Sequence, residues 1–145
     1  MHYVGYAEMA AAVSNAGGLG VITALTVAQG ENALQRLRDE IRRCKELTKK
    51  PFAVNITLLP VGVEPDYMGI LDVIISEGVR IVETAGRSPS KVIGKLKEHG
   101  IIVIHKCVAI RHALSAAKIG ADIISMDGFD CEYGTAVGCG SQGIF

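Results

Sequence analysis

Polar side chains stand at the ends of several apolar segments, and these side chains are the first candidates for chemistry. Lys106 occupies such a position, where a lysine can bind a phosphate or stabilise an electron-rich ring. Asn55 lies inside an apolar segment, and a buried amide needs partners from a ligand or from neighbouring backbone. The alternative for each polar residue is a role in capping the helix that follows. In chain order, the segment ends are Thr23, then Asn55 and Thr57, then Glu83–Gly86, then His105–Cys107, then Asp127 and Gly128.

The histidines and cysteines are not arranged as a metal site. The four cysteines never occur as Cys-x-x-Cys, so we expect no metal and predict free thiols in a reducing, cytoplasmic compartment. His105 comes directly before Lys106 and should point to the opposite face of its strand, which favours a structural role. His2, His99 and His112 are expected to be surface or helix residues.

Helices that end in glycine alternate with apolar strands along the chain. Gly78, Gly100 and Gly120 each stand where a helix should end, directly before an apolar segment. The continuous apolar character of these segments predicts strands that are buried on both faces and therefore parallel. The predicted helices cover 6–16, 31–49, 68–77, 88–99 and 109–119, and the predicted strands cover 19–25, 52–59, 79–84, 101–106 and 121–127.

Two architectures are built from such repeats, an open doubly wound sheet and a closed (β/α)₈ barrel. A barrel usually takes about 250 residues. Because the chain has 145 residues, its length favours an open sheet of five strands. In both architectures the ligand binds at the carboxyl ends of the parallel strands, so the polar segment ends predict one shared site.

Composition and charge exclude several classes of partner. Lys and Arg number 15, as do Asp and Glu, so the formal net charge is zero and favours neither nucleic acid nor an anionic membrane. The apolar segments are shorter than the roughly 20 residues that a membrane span needs. The first residues lack the basic region of a signal peptide.

Longer motifs resemble the nitronate monooxygenase family, formerly called 2-nitropropane dioxygenases. They are VGYAEMAAAVSNAGGLGVITAL, KKPFAVNITLLP, RIVETAGRSP, GIIVIHKC and RHALSAAKIGADIISMDGFDC, in the expected order from Met1 to about Cys131. The resemblance implies an α/β fold of the FMN-binding TIM-type (β/α)₈ barrel, here incomplete, with about five parallel strands that look like the second to the sixth. Residues 1–131 would form a partial FMN-binding barrel domain, truncated at both ends, and residues 132–145 a divergent C-terminal tail.

The same resemblance implies contacts to FMN, residue by residue. Met1 and His2 match the loop beneath the flavin ring. Thr57, Lys106 and Asp127 match further FMN contacts.

The family's catalytic histidine has no counterpart in this chain. This histidine takes the α-proton of a nitroalkane in the family, and its position falls on Gly134. We therefore predict no catalytic residue. Nitronates are already anions and do not strictly need a base, whereas neutral nitroalkanes do.

The resemblance implies an FMN-dependent oxidoreductase that oxidises alkyl nitronates with O₂, so a nitronate or nitroalkane and O₂ are the expected small-molecule partners. One alternative is an inactive, truncated fragment of the family, whose open parallel edges favour self-association. Another is a flavin-dependent NAD(P)H:quinone or enoyl-ACP reductase relative. An independent open-sheet domain of other function is the third alternative.

Overall fold

The fold is a five-stranded parallel sheet whose strands lie in the same order as in the chain, β1-β2-β3-β4-β5. A computed structural model describes residues 3–58 and 65–128. The strands are β1 (Gly20–Thr23), β2 (Phe52–Leu58), β3 (Ile81–Gly86), β4 (Ile102–Cys107) and β5 (Ile123–Met126). The helices are α1 (Ala7–Asn15), α2 (Ala24–Val27), α3 (Ala33–Leu47), α4 (Tyr67–Ser76), α5 (Ser90–Glu98) and α6 (Ile110–Lys118).

This strand order is that of a (β/α) barrel. A doubly wound sheet reverses its strand order at a switch point, where ligands bind. The five described strands show no reversal, because each pairs in parallel with its neighbours in the sequence. The partial barrel is therefore confirmed, and the open doubly wound sheet favoured by length is wrong.

The core lies between the helices and one face of the sheet. Alternate residues of each strand point to this face, because successive side chains of a strand alternate sides. We call the opposite face, to which Asn55 and Lys106 belong, the inner face. The largest fully buried core side chains come from the strands (Ile22, Val54, Ile56, Val82, Val103) and from the helices (Leu37, Ile41, Ile70, Leu71, Ile74, Val92, Leu96).

Three helices end in the same way, as their glycines predict. Gly78, Gly100 and Gly120 have φ of +68°, +66° and +106°, in the left-handed region. After each glycine, the next backbone N–H donates to a carbonyl five residues earlier, at 3.0–3.1 Å. This is the Schellman end, which turns the chain sharply from helix to strand. The 22- and 20-residue spacing of the glycines is therefore the period of the structural repeat.

The outer strands differ from the prediction of burial on both faces. On the inner face, Ile102 of β4 is 43% exposed and Ile123 of β5 is 49% exposed. Met126, on the other face of β5, is 47% exposed. Because β5 is the edge of the described sheet, it has a neighbouring strand on one side only. The interior strand β2 keeps the predicted burial, with only its two residues Phe52 and Thr57 partly exposed.

Two features of the first half were not predicted. The predicted strand 19–25 ends at Thr23, and the four residues Ala24–Val27 form the short helix α2. The predicted helix 31–49 is shorter, because Asn32 adopts a left-handed conformation with φ +62° and α3 begins after it. Leu47, the last residue of α3, is 46% exposed.

The described cysteines Cys44 and Cys107 are free thiols in buried positions. Burial raises the pKa of Cys44 to about 11, so its thiol stays protonated. No helix within the described ranges is both long and apolar enough to cross a membrane.

Candidate functional site

Two rows of side chains cross the inner face near the carboxyl ends of the strands. Strand register defines each row, because residues paired across parallel strands lie side by side. The upper row, nearest the carboxyl ends, is Thr57, Ala85, Lys106 and Ser125. The lower row is Thr23, Asn55, Glu83, Ile104 and Ile123.

Asn55 is the centre of a hydrogen-bonded group in these rows. Its side chain is 5% exposed, and its Nδ2 donates to Oε2 of Glu83 at 2.6 Å. Its Oδ1 accepts from the hydroxyl of Thr57 at 2.9 Å. The partners of the buried amide in these two hydrogen bonds are therefore side chains, rather than a ligand or backbone atoms.

Lys106 and Asp127 form an ion pair at the carboxyl ends of β4 and β5. Lys106 Nζ lies 3.5 Å from Asp127 Oδ2, and the two side chains are 29% and 24% exposed. The backbone N–H of Asp127 donates to the carbonyl of Cys107 at 2.9 Å, which fixes Asp127 just beyond its strand. The carboxylate of Asp127 therefore compensates part of the charge of Lys106.

Small side chains separate the polar groups of the upper row. Ala85 lies between Thr57 and Lys106, and Ser125 follows Lys106 on the next strand. With strands about 4.8 Å apart, Thr57 and Lys106 are separated by roughly 10 Å. The row therefore forms a shelf with a hydroxyl at one end, an ammonium near the other and little side-chain bulk between them.

His105 lies on the helix side of the sheet, as its position next to Lys106 predicts. It is 2% exposed, and its Nδ1 lies 3.0 Å from the hydroxyl of Thr84. Burial lowers the pKa of His105, with a smaller contribution from His112. Thr84 and His105 are therefore core residues, although both stand among the polar strand ends.

Thr23, the first polar strand end, packs against the segment that precedes α1. Its backbone N–H donates to the carbonyl of Gly5 at 2.8 Å. A Cβ on Gly5 would collide with the Thr23 hydroxyl, so glycine is needed for this close approach. Thr23 is 6% exposed and contributes little surface to the site.

Of the implied cofactor contacts, the structure places Thr57, Lys106 and Asp127 at the carboxyl-end edge of the inner face. Met1 and His2 lie outside the described residues, and so does Gly134. The sequence indicates Glu83 only as one of the polar strand ends and does not predict its hydrogen bond with Asn55. The strand register would have revealed the pair, since Asn55 and Glu83 are direct neighbours.

The parallel strand order defines a TIM-barrel-type α/β protein, and the row of polar groups lies at the carboxyl ends of its strands, where such folds bind their ligands. The sequence model of the family described as nitronate monooxygenase matches residues 1–138. The chain belongs to the nitronate monooxygenase family. The match includes residues 132–138, the first part of the predicted tail.

Individual relatives cover a range of named activities. The chain is 34% identical over 128 residues, 88% of its length, to a (3aS,4S,5R,7aS)-5-hydroxy-7a-methyl-1-oxo-octahydro-1H-indene-4-carboxyl-CoA dehydrogenase of Rhodococcus jostii. It is 29% identical over 153 aligned positions to a probable nitronate monooxygenase of Staphylococcus saprophyticus, a match that covers 83% of the chain. Matched segments make up 34% and 42% of these relatives, so the chain spans well under half of their length.

A solved structure agrees with the fold. FabK from Thermotoga maritima superposes with a TM-score of 0.76 and 36% identity. The superposition covers 88% of this chain and 38% of that chain.

Proposed function

We propose that this chain provides the flavin-contacting part of an FMN-dependent oxidoreductase that oxidises alkyl nitronates with O₂. One observation carries the proposal. In a chain of the nitronate monooxygenase family, the Lys106–Asp127 pair and the Thr57 hydroxyl lie along one shelf at the carboxyl ends of the strands. In this proposal, residues 1–131 are the partial FMN-binding barrel domain and residues 132–145 a tail whose sequence diverges from the family.

The residues of the shelf fit the polar edge of a flavin ring. That edge combines carbonyl oxygens and ring nitrogens, which accept hydrogen bonds, with one N–H, which donates. Lys106 supplies donors, whereas Asp127 and the oxygen of Thr57 supply acceptors. The low bulk of Ala85 leaves room for a flat ring between them.

FMN, when bound, supplies the capacity to take electrons from the nitronate and pass them to O₂. The chain's own residues bind and orient the ring. Lys106 stabilises negative charge at a ligand oxygen or nitrogen, and this effect is strong because the ammonium is partly withdrawn from water. Asp127 holds the ammonium in position while it reduces the net positive charge.

The charge of the inner face indicates which part of FMN it contacts. Its strand residues and Asp127 include one cation, Lys106, and two carboxylates, Glu83 and Asp127. A dianionic phosphate would be repelled by this set, whereas a neutral ring would not. We therefore assign the ring to the described face and propose Met1 and His2, which lie outside the described residues, as further FMN contacts.

A second candidate is a flavin-dependent reductase, such as an NAD(P)H:quinone or enoyl-ACP reductase relative. The observation that favours it is that the chain's sequence identity to two other relatives exceeds its identity to the probable nitronate monooxygenase. The chain is 34% identical to the CoA-ester dehydrogenase and 36% identical to FabK, against 29% to the probable nitronate monooxygenase. An inactive partial barrel is the third candidate.

Substrate assays on the FMN-loaded chain separate these candidates. The proposal predicts O₂ consumption with propyl-2-nitronate and none with neutral 2-nitropropane, because we assign no base that could remove its α-proton. Oxidation of NADH or NADPH with a quinone or an enoyl thioester, without nitronate oxidation, would favour the reductase. Absence of turnover with all of these substrates would favour the inactive partial barrel.

A further inference from the structure

We propose that Glu83 is a positioning residue that, acting through Asn55, makes Thr57 a hydrogen-bond acceptor for a donor group of the bound flavin. The inference rests on the flavin site proposed above and specifies one of its contacts. The donor group is the ring N–H or a ribityl hydroxyl, and either group requires Thr57 to accept its hydrogen bond.

The first step is the orientation of the Asn55 amide. An ionised carboxylate only accepts hydrogen bonds. The Asn55 atom that lies 2.6 Å from Glu83 Oε2 must therefore be the nitrogen, because an amide oxygen there would face another oxygen with no proton between them. Glu83 thus determines which of the two terminal atoms of the Asn55 amide is the nitrogen and which is the oxygen.

The second step is the direction of the Thr57 hydroxyl. With its nitrogen turned to Glu83, Asn55 turns its oxygen to Thr57, and the two oxygens lie 2.9 Å apart. A proton is needed between them, and only the threonine hydroxyl can supply it. The single proton of Thr57 is therefore directed into the protein.

The third step is what Thr57 offers to a ligand. A hydroxyl has one proton and two lone pairs, so Thr57 keeps a lone pair for an incoming donor. Its side chain is partly exposed, whereas Asn55 behind it is buried. Thr57 is also held from its backbone, since its carbonyl accepts from the Tyr67 hydroxyl at 3.2 Å. The shelf consequently presents an acceptor at Thr57 and a donor at Lys106.

The hydrogen bonds that lead from Glu83 through Asn55 to Thr57 form a relay. A double-mutant cycle on FMN affinity tests this relay. Glu83→Met removes the carboxylate at similar volume, and Thr57→Val removes the hydroxyl. We expect each single variant to bind FMN about tenfold more weakly, as expected when a hydrogen bond to a ligand is lost or misdirected. In the Thr57→Val background, Glu83→Met should have no further effect. Equal effects of Glu83→Met in both backgrounds would overturn the inference.

A conservative variant and a modified cofactor refine the test. Glu83→Gln can still present an oxygen to Asn55, so it should retain most of the affinity. FMN methylated at its ring N–H should bind the wild-type chain about tenfold more weakly, without further loss in Thr57→Val, if the ring is the donor. Methylated FMN that binds like FMN in both chains would make a ribityl hydroxyl the donor.

A readout without flavin tests the relay in the free protein. In wild-type chain, the Asn55 side-chain amide protons should exchange slowly and shift downfield in NMR spectra, because one of them bonds to a carboxylate. Glu83→Met should abolish this shift, and circular dichroism would verify that the variant folds. An Asn55 signal that is indifferent to Glu83→Met would overturn the relay. A wild-type chain that binds no FMN would instead overturn the proposed function, and the ligand contact with it.

Discussion

At the scale of single residues, the ion pair of Lys106 and Asp127 is the feature on which we expect ligand binding to depend most. The two side chains are about three-quarters withdrawn from water. A ligand atom that contacts the ammonium there competes with little solvent, so the contact is stronger than at an exposed lysine. The 3.5 Å separation of Nζ and Oδ2 is that of an ion pair rather than a short hydrogen bond, which leaves the ammonium protons available to a ligand.

Lys106→Met should therefore weaken FMN binding by about tenfold or more, because a charge-assisted contact is lost. Fluorescence titration of FMN measures the affinity. Lys118→Met is a matched control, because Lys118 is an exposed lysine at the end of α6. Unchanged affinity in Lys106→Met would remove this lysine from the site.

At the scale of elements, a single carboxylate joins α3 to the end of α4. Glu77 Oε1 lies 2.9 Å from both Arg38 and Arg42, and Lys45 lies 3.6 Å from Oε2. The side chain of Glu77 is only 9% exposed. The hydrogen bond from Arg42 is the main cause that lowers the pKa of Glu77.

This lowered pKa makes the stability of the chain depend on pH. The folded state holds the Glu77 proton less tightly than the unfolded state, so the contribution is present above the ordinary glutamate pKa of about 4.3 and is lost as pH falls below it. Glu77→Gln should cost about 1 kcal/mol at pH 7, since the side chains of its partners Arg38 and Arg42 are 30% and 56% exposed and solvent screens the pairs, and nothing at low pH. Urea unfolding at several pH values measures the difference, with exposed Glu46→Gln as the control. A cost for Glu77→Gln that does not vary with pH would contradict this explanation.

Two glycines are needed for different reasons, one for its backbone conformation and the other because there is no room for a side chain. At Gly100 a Cβ would meet nothing within 4 Å, so only its φ of +66° disfavours other residues. At Gly20 a Cβ would collide with the backbone carbonyl of Ala10, where β1 passes α1. We expect Gly100→Ala to cost about 1 kcal/mol, and Gly20→Ala to cost more than about 3 kcal/mol or to prevent folding. Thermal unfolding would rank the two, and equal costs would contradict the distinction.

The elements were largely predictable from the sequence, whereas contacts between them were not. Gly78 and Gly100 end their helices because the left-handed conformation is a local property of the chain. The register that places Asn55 beside Glu83 results from packing of the whole sheet and leaves no local signal. For the same reason the polar strand ends predicted one shared site but did not separate Thr84, which is in the core, from Thr57, which is on the shelf.

At the scale of the whole molecule, the described sheet has two strand edges, β1 and β5. The β5 end carries large apolar side chains at its surface. Ile123 and Met126 are 49% and 47% exposed, and Ile110 and Leu114 of α6 are 62% and 58% exposed. Free backbone groups of an edge strand next to apolar side chains favour pairing with another chain. We therefore expect self-association through this edge.

Ile123→Lys should reduce self-association, because a charge would have to be buried at the edge. Size-exclusion chromatography with light scattering gives the mass in solution. Leu47→Lys is the matched control, since Leu47 is similarly exposed, at 46%, but lies on α3. A wild-type chain that is monomeric, or equal masses for Ile123→Lys and wild type, would contradict the role of this edge.

The central claim is that this partial barrel binds FMN on its inner face. Its most direct test is the visible absorption spectrum of the purified chain after incubation with FMN and removal of free ligand. We expect a flavin spectrum with about one FMN per chain, held by the shelf that includes Thr57 and Lys106. A colourless protein that is folded by circular dichroism would contradict the claim.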